Sequence, residues 1–163
     1  MAARVIIVMG VSGSGKSSVG SALGAAIGAD FIDADDHHPP ANREKQAAGI
    51  PLTNEDRKGW IAAIGADLNA RPASCVLACS ALNPTVRGWL AEQIAAPLTY
   101  VLLEGEKALI AERMKARKGH FMPASLLDSQ FAGLEPPEEA IRVNIEKPVE
   151  ALVAEIRAAL GRG

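Results

Sequence analysis

Eight consecutive residues near the start of the chain, Gly10-Val11-Ser12-Gly13-Ser14-Gly15-Lys16-Ser17, follow the pattern G-x-x-x-x-G-K-[ST] without a gap. Glycines in such a run let the backbone curl until successive N–H groups point at phosphate oxygens. The helix expected from about Lys16 adds the positive end of its dipole. A lysine at this spacing bridges the β and γ phosphates of a nucleotide, and the serine hydroxyl after it ligates magnesium. The pattern therefore assigns Gly10, Ser12, Gly13, Ser14, Gly15, Lys16, Ser17 and Ser18 to the phosphates of ATP, with Lys16 also catalytic and Ser17 on Mg2+.

A second chemical constellation follows in Phe31-Ile32-Asp33-Ala34-Asp35-Asp36. Asp33 and Asp35 alternate by two, so they share one face if strand geometry continues past Ile32. Asp33 is the expected contributor to the magnesium shell. Asp35 is the expected base or orienter for an acceptor hydroxyl, since an anionic carboxylate can take the proton as the phosphorus–oxygen bond forms. No Asn-Lys-x-Asp guanine-reading motif is present. The acid that ends a further strand in many phosphate-loop ATPases is also missing, because the apolar run 76–79 ends in Ser80. Glu104, at the end of the run 98–103, could replace it, but reads better as a solvated strand end.

These groups need a scaffold, and the sequence writes one. Short apolar runs at 5–9, 31–32, 75–79, 98–103 and 140–145 read as strands, those in the interior being continuous as in parallel sheets buried on both faces. Helical stripes alternate with them: Val19, Leu23 and Ile27; Trp60, Ile61, Ile64 and Leu68 after a cap at Thr53 with Asp56; Val86, Trp89, Leu90 and Ile94 after Pro84; Leu109, Ile110 and Met114; and Val149 to Leu160 after Pro148. Trp60 and Trp89 fall on apolar stripes and read as core. Segments 37–52 and 118–137 fit neither period and read as long functional loops. The succession predicts a single α/β domain, a parallel sheet between helical layers, with ligands beyond the carboxyl ends of the strands.

Bulk composition excludes several classes. With 163 residues the chain suits one domain, and with 48% hydrophobic and 22% charged residues it is an ordinary globular composition. A net charge of −2 and the lack of a basic stripe argue against nucleic acid as a partner. No apolar run reaches the roughly 18–20 residues of a membrane helix, and the run 5–9 is too short for a signal segment. Cys75 and Cys79, on one strand, are placed too far apart for a disulfide and suit a reducing cytoplasm.

The residues also match a family. Gly10 to Ser17, Asp33-Ala-Asp-Asp36, His38-Pro-Pro-Ala-Asn42, Glu44-Lys45, Gly49 to Arg57, Cys79-Ser-Ala-Leu82 and the long block Glu112 to Leu127 with Ser129-Gln-Phe131 and Leu134-Glu-Pro136 resemble the thermoresistant-type gluconokinases, relatives of shikimate kinase and the nucleoside monophosphate kinases. The resemblance runs from Val5 to about Val153. It implies a phosphate-loop three-layer sandwich with a five-stranded parallel sheet and a small mobile lid at about 118–137, a substrate segment at about 37–58, and transfer of the ATP γ-phosphoryl to the 6-hydroxyl of gluconate in the cytoplasm, commonly by a homodimer. It further implies Arg113 stacking on adenine near Pro148, and Arg117 meeting the transferring phosphoryl. Arg57 suits the substrate carboxylate through two parallel hydrogen bonds; His38, Ser80, His120 and Gln130 are candidates for its hydroxyls.

Two departures from that pattern bear on substrate. Asn83-Pro84-Thr85-Val86-Arg87 stands where the family usually has Lys-Arg-x-Tyr-Arg, and Asn144 stands where it commonly has Asp. Phosphoryl-transfer residues are untouched. The acceptor is therefore gluconate, or alternatively another sugar acid or shikimate-like polyol acid. A nucleotide-binding regulator without catalysis is the reading from a different class.

Overall fold

The structure, a computed structural model, describes residues 4–11, 13–50, 52–116 and 124–161. Five parallel strands form one sheet: β1 (Val5–Met9), β2 (Asp30–Asp33), β3 (Cys75–Ala78), β4 (Leu98–Glu104) and β5 (Ala140–Asn144), in the order β2-β3-β1-β4-β5. The order reverses at β1, whose residues Val5 to Val8 pair with both Cys75 to Ala78 and Leu98 to Val101. All five β1 residues are buried. This is why its sequence is a continuous apolar run and not an alternating one. The carboxyl end beside such a reversal is where a crevice opens, and the glycine loop leaves from there.

Among the described residues seven helices accompany the sheet: α1 (Lys16–Ile27), α2 (Pro40–Ala47), α3 (Asn54–Asn69), α4 (Pro84–Gln93), α5 (Lys107–Ala116), α6 (Ala124–Gly133) and α7 (Val149–Leu160). Two cores result. On one face Trp60, Ile61, Ile64 and Leu68 of α3 and Val86 and Leu90 of α4 pack on Val5, Ile7, Met9 and Leu77. On the other Val19 and Leu23 of α1 and Leu152, Val153 and Ile156 of α7 pack on Ile6, Val8 and Val101. The sandwich and every anticipated strand are present, and Trp60 and Trp89 both belong to the first core.

The helices begin where their sequences say. Thr53 accepts from Asp56 N while Asp56 receives Thr53 N, a complete capping box at α3. Asn83 Oδ1 accepts from Val86 N at 2.9 Å and Pro84 follows, which starts α4. Two helices lie in segments read as loops. α2 presents no apolar stripe; among its described side chains the buried one is Asn42. It is defined by ends instead: Pro39 O accepts from Asn42 N and Arg43 N, and Gly49, at φ +75°, lets Ile50 N reach Lys45 O. α6 seats Leu127 and Phe131, four residues apart, in the second core.

α3 and α4 approach closely at Gly65, where an added Cβ would lie 2.8 Å from Gln93 Cβ and 2.9 Å from Gln93 O. Gly65→Ala therefore sets overpacking, about 1–3 kcal/mol, against a helix-propensity gain of up to about 1 kcal/mol. The clash wins because the obstacle is backbone and the root of a side chain. The expected result is a net loss of about 1–2 kcal/mol, read by urea unfolding; an unchanged midpoint would show that the two helices can part.

Candidate active site

The phosphate loop leaves β1 through three glycines with positive φ: Gly10 at +152°, Gly13 at +81° and Gly15 at +97°. Gly10 has a further constraint, since a Cβ there would lie 2.8 Å from Ser14 Oγ and 3.1 Å from Leu103 O. Ser14 N donates to Val11 O at 3.2 Å, closing the turn, and Val19 N to Gly15 O at 2.9 Å opens α1. Gly15 caps α1 without a side chain. The first-turn amides are thus left for an anion. Lys16 Nζ folds back and donates to Gly10 O and Val11 O at 3.2 and 3.1 Å. Ser14 Oγ is buried and, among the described residues, has no hydrogen-bond partner. Ser17 and Ser18 are exposed on the first turn of α1, while Ser12 lies outside the described residues.

The acidic segment comes to this loop. Ser17 Oγ donates to Asp33 Oδ2 at 2.8 Å, and Asp33 Oδ1 accepts from Asp35 N at 3.0 Å. That second bond corrects one expectation. Strand geometry stops at Asp33, whose carboxylate caps a 3₁₀ turn at Ala34–His37, so Asp33 and Asp35 do not share a strand face. Asp35 is exposed on that turn, and Arg43 Nη2 donates to its carbonyl at 3.3 Å. The two aspartates and Lys16 still lie close enough to bear on one buried thiol, Cys79. Burial pushes the Cys79 thiol up to about 12, with Lys16 opposing and Asp35 and Asp33 adding to the shift. All three charges therefore act at the carboxyl end of β3. Mg2+ characteristically takes one or two protein oxygens and fills its octahedron with phosphate and water. The hydroxyl–carboxylate pair Ser17–Asp33 fits that donor set.

The turn is fastened to α3. His37 Nε2 meets Asp67 Oδ2 at 2.7 Å, Asp67 takes Arg71 Nε at 2.9 Å, and Arg71 reaches Asp30 at 2.9 Å. Trp60 Nε1 donates to Ala34 O at 2.6 Å, and the His38 ring stacks on Trp60 with centroids 4.4 Å apart. Trp60 is thus core on one side and a platform for His38, a candidate site residue, on the other. Arg57, exposed one turn earlier, has no ion pair among the described residues. Its neighbour Asp56 is instead taken by Lys45 Nζ at 2.6 Å and Thr53 N at 2.9 Å. In the sequence Asn42 and Lys45 were legible only as members of motif blocks and Arg43 not at all, because a polar helix such as α2 has no periodic signal to show what they hold.

On the opposite flank Arg113 Nη2 donates to Ile145 O at 2.7 Å. This joins α5 to the turn that ends at Pro148, the residue before α7. Asn144 Oδ1 accepts from Glu146 N at 2.9 Å, a turn-closing bond that an aspartate would make equally. Glu104 is exposed and faces Arg142 at 3.8 Å, a surface pair. Ser80 is half-buried just past β3, and Gln130 is half-buried on α6. Arg117 and His120 lie outside the described residues.

Comparison with known proteins places this geometry. The family model described as AAA domain matches residues 5–137. A crystal structure of a gluconokinase from Sinorhizobium meliloti 1021 superposes with a TM-score of 0.86 at 46% identity, covering 99% of this chain and 93% of that one. The gluconokinase of Gluconobacter oxydans (strain 621H) is 41% identical over 94% of this chain and 89% of its own length. The thermoresistant gluconokinase of Escherichia coli (strain K12) is 37% identical over 98% and 95%. The chain belongs to the gluconokinase family. Within a gluconokinase framework the departure at 83–86 has a structural reading, because Asn83 and Pro84 build the start of α4. The retained Arg87 donates to Ala81 O at 2.8 Å and Glu135 O at 2.7 Å, and Glu135 N returns to Leu82 O at 2.8 Å. This clip joins the turn after β3 to the chain beyond α6.

The Lys45 hydrogen bond, with Thr53 N–H second, holds the Asp56 carboxyl down at about 2. A depressed carboxylate stabilises the fold above its unfolded value of about 4 and loses that contribution as pH falls through the folded value. The stability gap between the natural chain and Asp56→Asn should accordingly be constant above about pH 5 and narrow towards pH 2. Urea unfolding across that range checks it, and a gap that widens in acid would contradict the pairing.

Proposed function

We propose that this chain transfers the γ-phosphoryl group of ATP to the 6-hydroxyl of D-gluconate, giving 6-phosphogluconate and ADP. The Ser17–Asp33 contact at 2.8 Å carries the reaction class, since it brings the phosphate loop and the acidic turn to one point. The gluconokinases matched over nearly their whole length carry the acceptor.

In this reading the loop amides and Lys16 hold the β and γ phosphates and balance charge as the bond to ADP lengthens. Magnesium, held from Ser17 and through Asp33, would neutralise the phosphate oxygens when bound. Asp35, exposed at the turn, orients the 6-hydroxyl and accepts its proton as the new phosphorus–oxygen bond forms. Arg57, with no competing ion pair among the described residues, engages the gluconate carboxylate. His38, Ser80, His120 and Gln130 are assigned to hydroxyls, Arg117 to the transferring phosphoryl, and Arg113 with Pro148 to adenine. A cytoplasmic location and a homodimer belong to the same proposal; no helix among the described residues is long and apolar enough to cross a membrane.

ADP release across gluconate, other sugar acids, shikimate and nucleoside monophosphates tests the acceptor. Gluconate should give the highest kcat/KM, and stronger turnover of another acid would reject it. Asp35→Asn should lower kcat by about 100-fold or more, and near-normal turnover would remove Asp35 from the chemistry. Arg57→Ala should raise KM for gluconate with KM for ATP unchanged; an unmoved gluconate KM would contradict the carboxylate role.

A further inference from the structure

We infer that Asn42 locks His38 as the neutral Nε2–H tautomer, so that the ring is a fixed hydrogen-bond donor to a hydroxyl oxygen of the acid acceptor. The acceptor half of this inference rests on the function proposed above. The tautomer rests on the geometry alone.

Asn42 is the one charged or polar side chain besides Ser14 that is buried among the described residues, 3% exposed on α2. Its Nδ2 lies 3.0 Å from Asp56 O and 3.2 Å from His38 Nδ1. A peptide carbonyl only accepts, so the end of the amide facing Asp56 must be the NH2 group. The same NH2 faces His38 and can only donate there. His38 Nδ1 must then present its lone pair, and in a neutral imidazole the proton sits on the other nitrogen. Asp56 O is itself held in place, because its residue begins α3 inside the capping box and is paired with Lys45. Asn42 thereby reads the start of α3 and transmits it to the ring.

Two further contacts fix where Nε2–H points. Trp60 lies under the ring at 4.4 Å with planes 12° apart, and Trp60 is anchored by its bond to Ala34 O. A ring held by one face and one nitrogen has little freedom left. Nε2 has no hydrogen-bond partner among the described residues. The groups that bear on its charge are Asp35 on the preceding turn, which favours the imidazolium, and Arg43 on α2, which opposes it; burial, the largest influence, also lowers its proton affinity. Lys45 and Asp56, on α2 and α3, neutralise each other nearby. The neutral ring is therefore the form present near pH 7, since the ordinary value is about 6.5 and the shift is downward.

A consequence for the reaction follows. A histidine fixed as a donor cannot take the acceptor's proton, so Asp35 keeps that role alone while His38 selects an oxygen by position. Asn42 is a positioning residue and touches no reacting atom.

The test uses the full chain labelled with 15N at histidine, in long-range 1H–15N spectra at about pH 7.5 without substrate, with His38 assigned by its loss in His38→Gln. The expected pattern is an unprotonated Nδ1 and a protonated Nε2. An Nδ1–H pattern, or two protonated nitrogens, would overturn the inference in the natural protein without any variant needing to fold. Asn42→Leu should then mix the tautomers and raise KM for gluconate about tenfold while kcat holds; a single unmixed tautomer with unchanged KM would overturn the role of Asn42. His38→Gln keeps an amide donor at similar reach, so its KM should lie below that of His38→Ala, and equal values would overturn the donor assignment. Failure of the natural enzyme to turn over gluconate would overturn the acceptor half alone, because the spectrum decides the tautomer independently.

Discussion

A phosphate-binding turn must do two incompatible things: bend sharply in a buried place and leave its own amide donors unpaired. Backbone N–H groups withheld from bonding are costly in a protein interior, so the turn can exist only where its surroundings permit no relaxation. Here β1 supplies that constraint. It is the central strand, bonded on both edges and covered on both faces, and it delivers Gly10 to a fixed point beside Leu103 and Ser14. The positive φ angles at Gly10, Gly13 and Gly15 then follow, and α1 starts without a side-chain cap because its first turn is reserved for a ligand.

Around that fixed point the molecule divides its work by flank. On the β2–β3 side, α3 is the organiser: through Trp60 and Asp67 it grips the turn that carries Asp33 and Asp35, and it also bears Arg57. On the β4–β5 side, α5 is tied by Arg113 to the turn before α7. In the function proposed above, the acid acceptor and the nucleotide base are served by side chains on opposite flanks of the sheet. Changes on one flank, such as the replacement of the family's basic block by Asn83 and Pro84, can leave the phosphate loop undisturbed.

What the sequence disclosed depended on whether a signal was periodic or local. The interior strands β1 and β3 were legible as unbroken apolar runs, the phosphate loop by its spacing, and α3 by Thr53 and Asp56. α2 was hidden because the face it buries is polar: Asn42 contributes two hydrogen bonds where a leucine would have contributed a stripe. Its Pro39-Pro40 start and Gly49 stop were the available clue. The placement of Asp35 was misjudged for a related reason. Alternation assumes that the strand goes on, and whether it does was decided by the side chain of Asp33 bonding the next backbone amide but one. Such short-range competition between side chain and ladder leaves no trace in hydrophobic period.

The Arg87 clip has an evolutionary implication. Its guanidinium and its companion bond engage main-chain atoms at 81, 82 and 135, never side chains. Such a fastening is blind to what is substituted at the gripped positions, apart from the left-handed conformation at Ala81, with φ +44°. It is sensitive to how many residues lie between them and the secondary structure on either side. Drift at the gripped positions should thus be free in composition, and strict in length over the short stretch from Ala81 to Arg87.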